Sequence, residues 1–117
     1  IPGVNLAWRE ITLAVPDAGD YMAVKESLRT AAERVLGDYR EELARQTHEL
    51  RKTASSNAAE EARAHVQLRF SAGSVEAIVR YPVPFQRAAE VEERMSRALL
   101  EAVRETASVS KLTEQPA

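Results

Sequence analysis

The stretch His65-Val66-Gln67-Leu68-Arg69-Phe70-Ser71-Ala72-Gly73-Ser74-Val75-Glu76-Ala77-Ile78-Val79-Arg80-Tyr81-Pro82-Val83-Pro84 decides the fold. Its first six residues alternate apolar and polar, the period of a half-buried strand. Ser71-Ala72-Gly73-Ser74 is a tight turn, with a glycine available for positive φ. Val75 to Tyr81 alternates again and is rich in β-branched and aromatic residues, so the two runs form a hairpin. Pro82 and Pro84 cannot donate to a ladder, which predicts the end of the second strand at Tyr81. From Arg87 the apolar period becomes helical.

Working outward, Trp8 to Val15 is another alternating run. Ile11, Leu13 and Val15 form its core side, and Pro16 closes it. Asp17 or Asp20 then offers a helix N-cap. Val24, Leu28, Ala32, Val35, Tyr39, Leu43 and Leu50 recur at steps of three, four or seven, one continuous apolar stripe. Gly37-Asp38 is a possible stop followed by a second cap. The stripe keeps phase across the glycine, so the expectation is one helix from about Asp20 to past Leu50, outreaching the second. Thr53 to Ala64 is a polar connector. The last helix carries Val91, Met95, Ala98, Leu99, Ala102 and Val103 on its apolar side. Glu90/Arg94 and Glu93/Arg97 stand at i,i+4 on its wet side. Ala107 to Leu112 is a weak strand candidate, and residues 107–117 otherwise read as a tail.

This order is β-α-β-β-α, with an optional final strand. Two amphipathic helices and three one-sided strands fit an α+β, ferredoxin-like two-layer sandwich, with both helices on one face of an antiparallel or mixed sheet. The 117 residues make one domain. The opposite sheet face then presents Trp8, Glu10, Thr12, Gln67, Arg69, Ser71, Glu76, Ile78 and Arg80. A solvated face with opposite-sign cross-strand pairs is one reading of it. A contact surface is the other, favoured by Trp8 and Ile78 and placed at Trp8, Glu10, Arg69, Glu76, Ile78 and Arg80.

Composition removes several function classes. The formal net charge is −2, so no overall field draws in nucleic acid or an anionic membrane. There is no cysteine, which excludes disulfides and thiolate metal sites. No apolar run approaches the roughly 20 residues that cross a bilayer, and no signal peptide is recognisable. The chain starts at Ile1 rather than Met, so it is expected to be a piece of something longer, with any membrane segment upstream. His48 and His65 are the only histidines, and neither has a second ligand at metal spacing. No serine or threonine has a paired base, the glycines form no phosphate loop, and the adjacent glutamates point apart. No catalytic residue, metal or cofactor is therefore assigned. The central strands also lack the aromatic pair of a ferredoxin-like RNA-binding module.

Val66-Gln67-Leu68-Arg69-Phe70, the Gly73 turn, Val75 to Val83 and a following helix with Glu92, Arg94 and Leu99 resemble the C-terminal cytoplasmic domain of small-conductance mechanosensitive (MscS-type) channels. Trp8-Arg9-Glu10-Ile11 before an aliphatic strand and Pro16 is similar to that region, as is Ala31-Ala32-Glu33-Arg34-Val35-Leu36. The resemblance covers about Trp8 to Thr106. It implies a domain on the cytoplasmic side of the membrane that builds a vestibule wall under a homo-oligomeric, typically heptameric, pore. Its partners would be other copies of the same chain, with the membrane reached only through segments upstream. The tail after Thr106 departs from the family in lacking a strong strand, and no pore residue carries over. The competing class is a ferredoxin-like regulatory or ligand-binding module that self-associates through its sheet. A small enzyme on this scaffold comes third.

Overall fold

A computed structural model describes residues 6–16, 20–45 and 63–114, with side chains through 106. Strand β1, Leu6–Val15, leads into helix α1, Tyr21–Gly37. A second helical stretch, α2, begins at residue 40 and is described to 45. Strands β2, His65–Ser71, and β3, Ser74–Pro84, form the hairpin. A 3-10 turn, Phe85–Arg87, feeds helix α3, Ala88–Glu114. The fold is α+β, and its three strands run antiparallel in the order β1-β3-β2. α1 packs over β2 and β3, α3 packs over β1 and β3, and the two helices pack on each other. Both therefore cover one face of the sheet, as the alternation predicts.

The hairpin turn holds Ala72 and Gly73, with Ser71 opposite Ser74. Gly73 has φ 77 and is the only positive-φ residue among those described. That register puts Ala77, Val79, Tyr81 and Val83 on the helix side, where all four are fully buried. They meet Leu13 and Val15 from β1, Val24, Leu28, Ala32 and Leu36 from α1, and Val91, Met95 and Leu99 from α3. Each large side chain buried this way contributes about 1.5–3 kcal/mol. Asp20 caps α1, its Oδ1 accepting from the Ala23 N–H at 3.0 Å. Of the two candidate caps, Asp17 lies outside the described residues.

Four expectations need correction. The first helix does not run unbroken past Leu50: α1 stops at Gly37. There Asp38 donates its N–H to Val35 O and Tyr39 to Leu36 O, tight three-residue bonds, before Leu43 N–H returns to Tyr39 O in α-helical spacing. The stripe stays in phase because Val35, Tyr39 and Leu43 are all buried, but the backbone between them tightens and turns. Within the described residues the longer helix is α3, at 27 residues against 17 for α1. Leu50, His48 and the connector at 53–62 lie outside the described residues.

Second, Pro82 and Pro84 lie within β3. β2 ends its pairing at His65 opposite Arg80, so beyond that point β3 has only β1 beside it. A proline is tolerated there because its missing N–H faces no strand. Third, residues 107–112 continue α3, with no strand. Fourth, Arg94 and Glu90 do not pair directly. They meet through the Tyr39 hydroxyl, while Arg97 and Glu93 do pair, at 3.0 Å.

Candidate interaction surface on the open sheet face

The pleat sends even-numbered residues of β1 and β3, and odd-numbered residues of β2, away from the helices. The ladder places Glu10, Arg80 and His65 in one row and Thr12, Ile78 and Gln67 in the next. Glu76 faces Arg69 one row further. All six residues singled out from sequence, Trp8, Glu10, Arg69, Glu76, Ile78 and Arg80, thus share the open face.

They fall into two groups with Ile78 between them. In the first, the Arg80 guanidinium lies 5.4 Å from the centre of the Trp8 ring, and its Nε is 3.9 Å from Glu10 Oε2. In the second, Arg69 Nη2 donates to Glu76 Oε1 at 3.2 Å. These exposed pairs add little stability. Their effect is to cancel charge within the face, so a surface covering it meets no unpaired ion. Ile78 is half-buried and Trp8 is 39% exposed, over Pro82, which is buried.

From sequence, His65 is only a histidine without a second ligand at metal spacing. The structure places its ring 6.1 Å from that of Trp8, with the planes tilted by 32°. Trp8, Arg80 and His65 form one continuous patch across three strands. The turn carried the signal: with Ser71 opposite Ser74, counting back six residues puts His65 opposite Arg80. His65 belongs to this patch on geometry, with no metal-site geometry around it. Among the described residues no three His, Asp or Glu side chains come together as a metal site requires.

A second polar cluster lies on the helix layer. Arg94 donates to Asp38 through Nη2 and to the Tyr39 hydroxyl through Nη1, the latter at 3.1 Å. The Tyr39 hydroxyl donates to Glu90 Oε2 at 2.5 Å, and Arg87 Nε donates to Glu42 at 3.1 Å. Burial, with the neighbouring Glu90 carboxylate, raises the Tyr39 pKa above its usual value. The hydrogen bonds to Asp38 and Tyr39 hold Arg94 still more firmly protonated. This cluster ties the α1–α2 break to α3.

Compared with known protein families, characterised proteins and solved structures, the chain matches none. No helix among the described residues is long and apolar enough to cross a membrane.

Proposed function

We propose that this chain is an assembly domain that works by contact between copies of itself, with the open sheet face as the contact surface. The observation that carries this reading is an accessible Trp8 and a half-buried Ile78 set among charges that already neutralise one another. Covering such a face strands no unpaired ion, while the cost of drying its ion pairs keeps the contact weak. It also carries no excess positive charge for a phosphate backbone, which favours a protein surface over nucleic acid. The charges would select one register more than they add affinity.

In its specific form the proposal places the domain in the vestibule wall of an MscS-type mechanosensitive channel, on the cytoplasmic side of the membrane. Support for that form comes from the residue pattern between Trp8 and Thr106. In the parent protein, pore and middle domains would raise the local concentration of a weak contact made here. The alternative, a regulatory or ligand-binding module that self-associates through its sheet, uses the same surface.

Sedimentation of the chain over a wide concentration range, repeated with Ile78→Glu and Trp8→Ala, tests the surface. Weak association reduced in Ile78→Glu is the expected result. A tight dimer indifferent to both changes would remove the face from consideration. The channel form is tested in the parent protein, where Ile78→Glu should impair assembly or gating; an unaffected channel leaves that form unsupported.

A further inference from the structure

The open face is not the only unpartnered feature of the sheet. Strand β1 is one of its two edges, the longer at ten residues, and pairs with β3 at every position without a bulge. Natural edges are blunted by proline, charged side chains, bulges or short length. Leu6–Val15 is long and has no proline or bulge, and its only charges are Arg9, on the helix side, and Glu10, on the open face.

Two observations show which backbone groups this edge offers. Ser71 and Ser74 close a two-residue turn, so they are a hydrogen-bonded pair and the even residues of β3 bond to β2. Its odd residues therefore bond to β1. Independently, Pro82 and Pro84 stand opposite Trp8 and Leu6. Having no N–H, they belong at positions that do not bond across to β1. Both lines agree that Trp8, Glu10, Thr12 and Ala14 turn their N–H and C=O groups outward. Among the described residues no hydrogen bond takes these groups up.

We propose that β1 pairs antiparallel with β1 of a second copy, joining two three-stranded sheets into one of six strands. The charges of the strand itself select the register. Centring the pair on Arg9 sets arginine against arginine, and centring it on Glu10 sets glutamate against glutamate; both are penalised. Centring it on Trp8 or Thr12 shortens the ladder. Centring it on Ile11 pairs residues 7–15 in full with no like charges directly opposite. Glu10 then meets Thr12, Trp8 meets Ala14, and about eight backbone hydrogen bonds form. The half-buried Ile11 meets its own copy across the axis. Helix layers of both copies stay on the same side. Such a pair closes with two copies, so in a ring of odd number it joins chains of different rings. The edge adjoins the face of the proposed function at Trp8 and Glu10 but engages their backbone groups, which the face contact does not use.

The test uses the chain itself, which has no native cysteine to interfere. Sedimentation equilibrium should show a weak dimer up to millimolar concentration. Thr12→Pro removes an outward N–H and spares the β1–β3 ladder, and it should weaken the dimer about tenfold or more. Under mild oxidation Ile11→Cys should cross-link to a covalent dimer, and Arg9→Cys and Glu10→Cys at least about tenfold less, since only position 11 faces itself. If Thr12→Pro fails to fold by circular dichroism, the cysteine series decides. A chain monomeric throughout, or cross-linking no better at 11 than at 9 or 10, overturns the proposal. A dimer abolished by Ile78→Glu but untouched by Thr12→Pro assigns the contact to the face and likewise overturns it.

Discussion

The Tyr39 hydroxyl donates to Glu90 at 2.5 Å across the helix layer, between residues 51 apart in sequence. The same oxygen accepts from Arg94, whose guanidinium also lies 5.4 Å from the Tyr39 ring centre. Tyr39 is therefore both a buried apolar side chain and the link between two charged residues of α3. Tyr81 contrasts with it: equally aromatic and fully buried, it has a hydroxyl with no partner among the described residues.

That contrast predicts opposite responses to one deletion. Tyr39→Phe removes a hydroxyl bonded to charged groups and should cost about 1–2 kcal/mol in urea unfolding. Tyr81→Phe removes a buried polar atom that makes no bond, and should be neutral or slightly stabilising. Equal losses in both variants would mean that the Tyr81 hydroxyl has a partner.

Both tyrosines also set an alkaline limit. Burial is the main cause raising each pKa above 10.0, aided by Glu90 for Tyr39 and Glu92 for Tyr81. The folded state therefore holds these protons longer than the unfolded chain does. Their contribution is fully present below the unfolded value near 10 and is lost as pH rises through the higher folded values. Stability should be flat with respect to these groups through neutral pH and fall above about 10. In the folded chain tyrosinate absorbance should therefore develop at higher pH than in the urea-unfolded chain. Coincident titration curves would contradict this.

The two described glycines should respond to alanine in opposite directions. A Cβ at Gly37 meets nothing within 4 Å, and its φ is not positive. Gly37→Ala should stabilise by about 0.5–1 kcal/mol by restricting the unfolded chain. Gly73 has equal space but φ 77, so Gly73→Ala should destabilise by about 1–2 kcal/mol. Thermal unfolding of the pair reads both signs in one experiment.

Asp20 gives a smaller, local test. Asp20→Ala removes the acceptor for the Ala23 N–H and should cost about 1 kcal/mol, while Asp20→Asn should retain most of the cap. If Asn and Ala cost the same, the hydrogen bond contributes little to the stability of α1.

Period-two alternation made the sheet legible in sequence: it assigned the core sides of all three strands and gathered Trp8, Glu10, Arg69, Glu76, Ile78 and Arg80 on one face. Even so, Phe70, on the helix side, remains 65% exposed, with the Tyr21 ring perpendicular to it at 5.8 Å, because burial depends on how far the helices reach. The break at Gly37 was hidden for a related reason. An apolar stripe reports which side is buried, and that side is the same before and after the turn. Arg94 was assigned to its nearest acid on its own helix, whereas its bonds go to Asp38 and Tyr39, a choice made by tertiary packing. His65 was recoverable from the turn register, but only once the strands were treated as neighbours.

Pro82 and Pro84 also act as a stop for the hairpin. A slip of β2 by two residues toward the end of β3 would keep every side chain on its proper face, so hydrophobic burial alone would not reject it. It would, however, set His65 opposite Pro82, where no N–H is available to complete the ladder. The slip would also pull the loop away from the one position where Gly73 supplies positive φ. The strand pair is thus gauged at both ends, by a glycine that fixes where it starts and prolines that fix where it ends. A misregistered hairpin formed early in folding would carry a defect at each end and would tend to reopen instead of persisting as a trap.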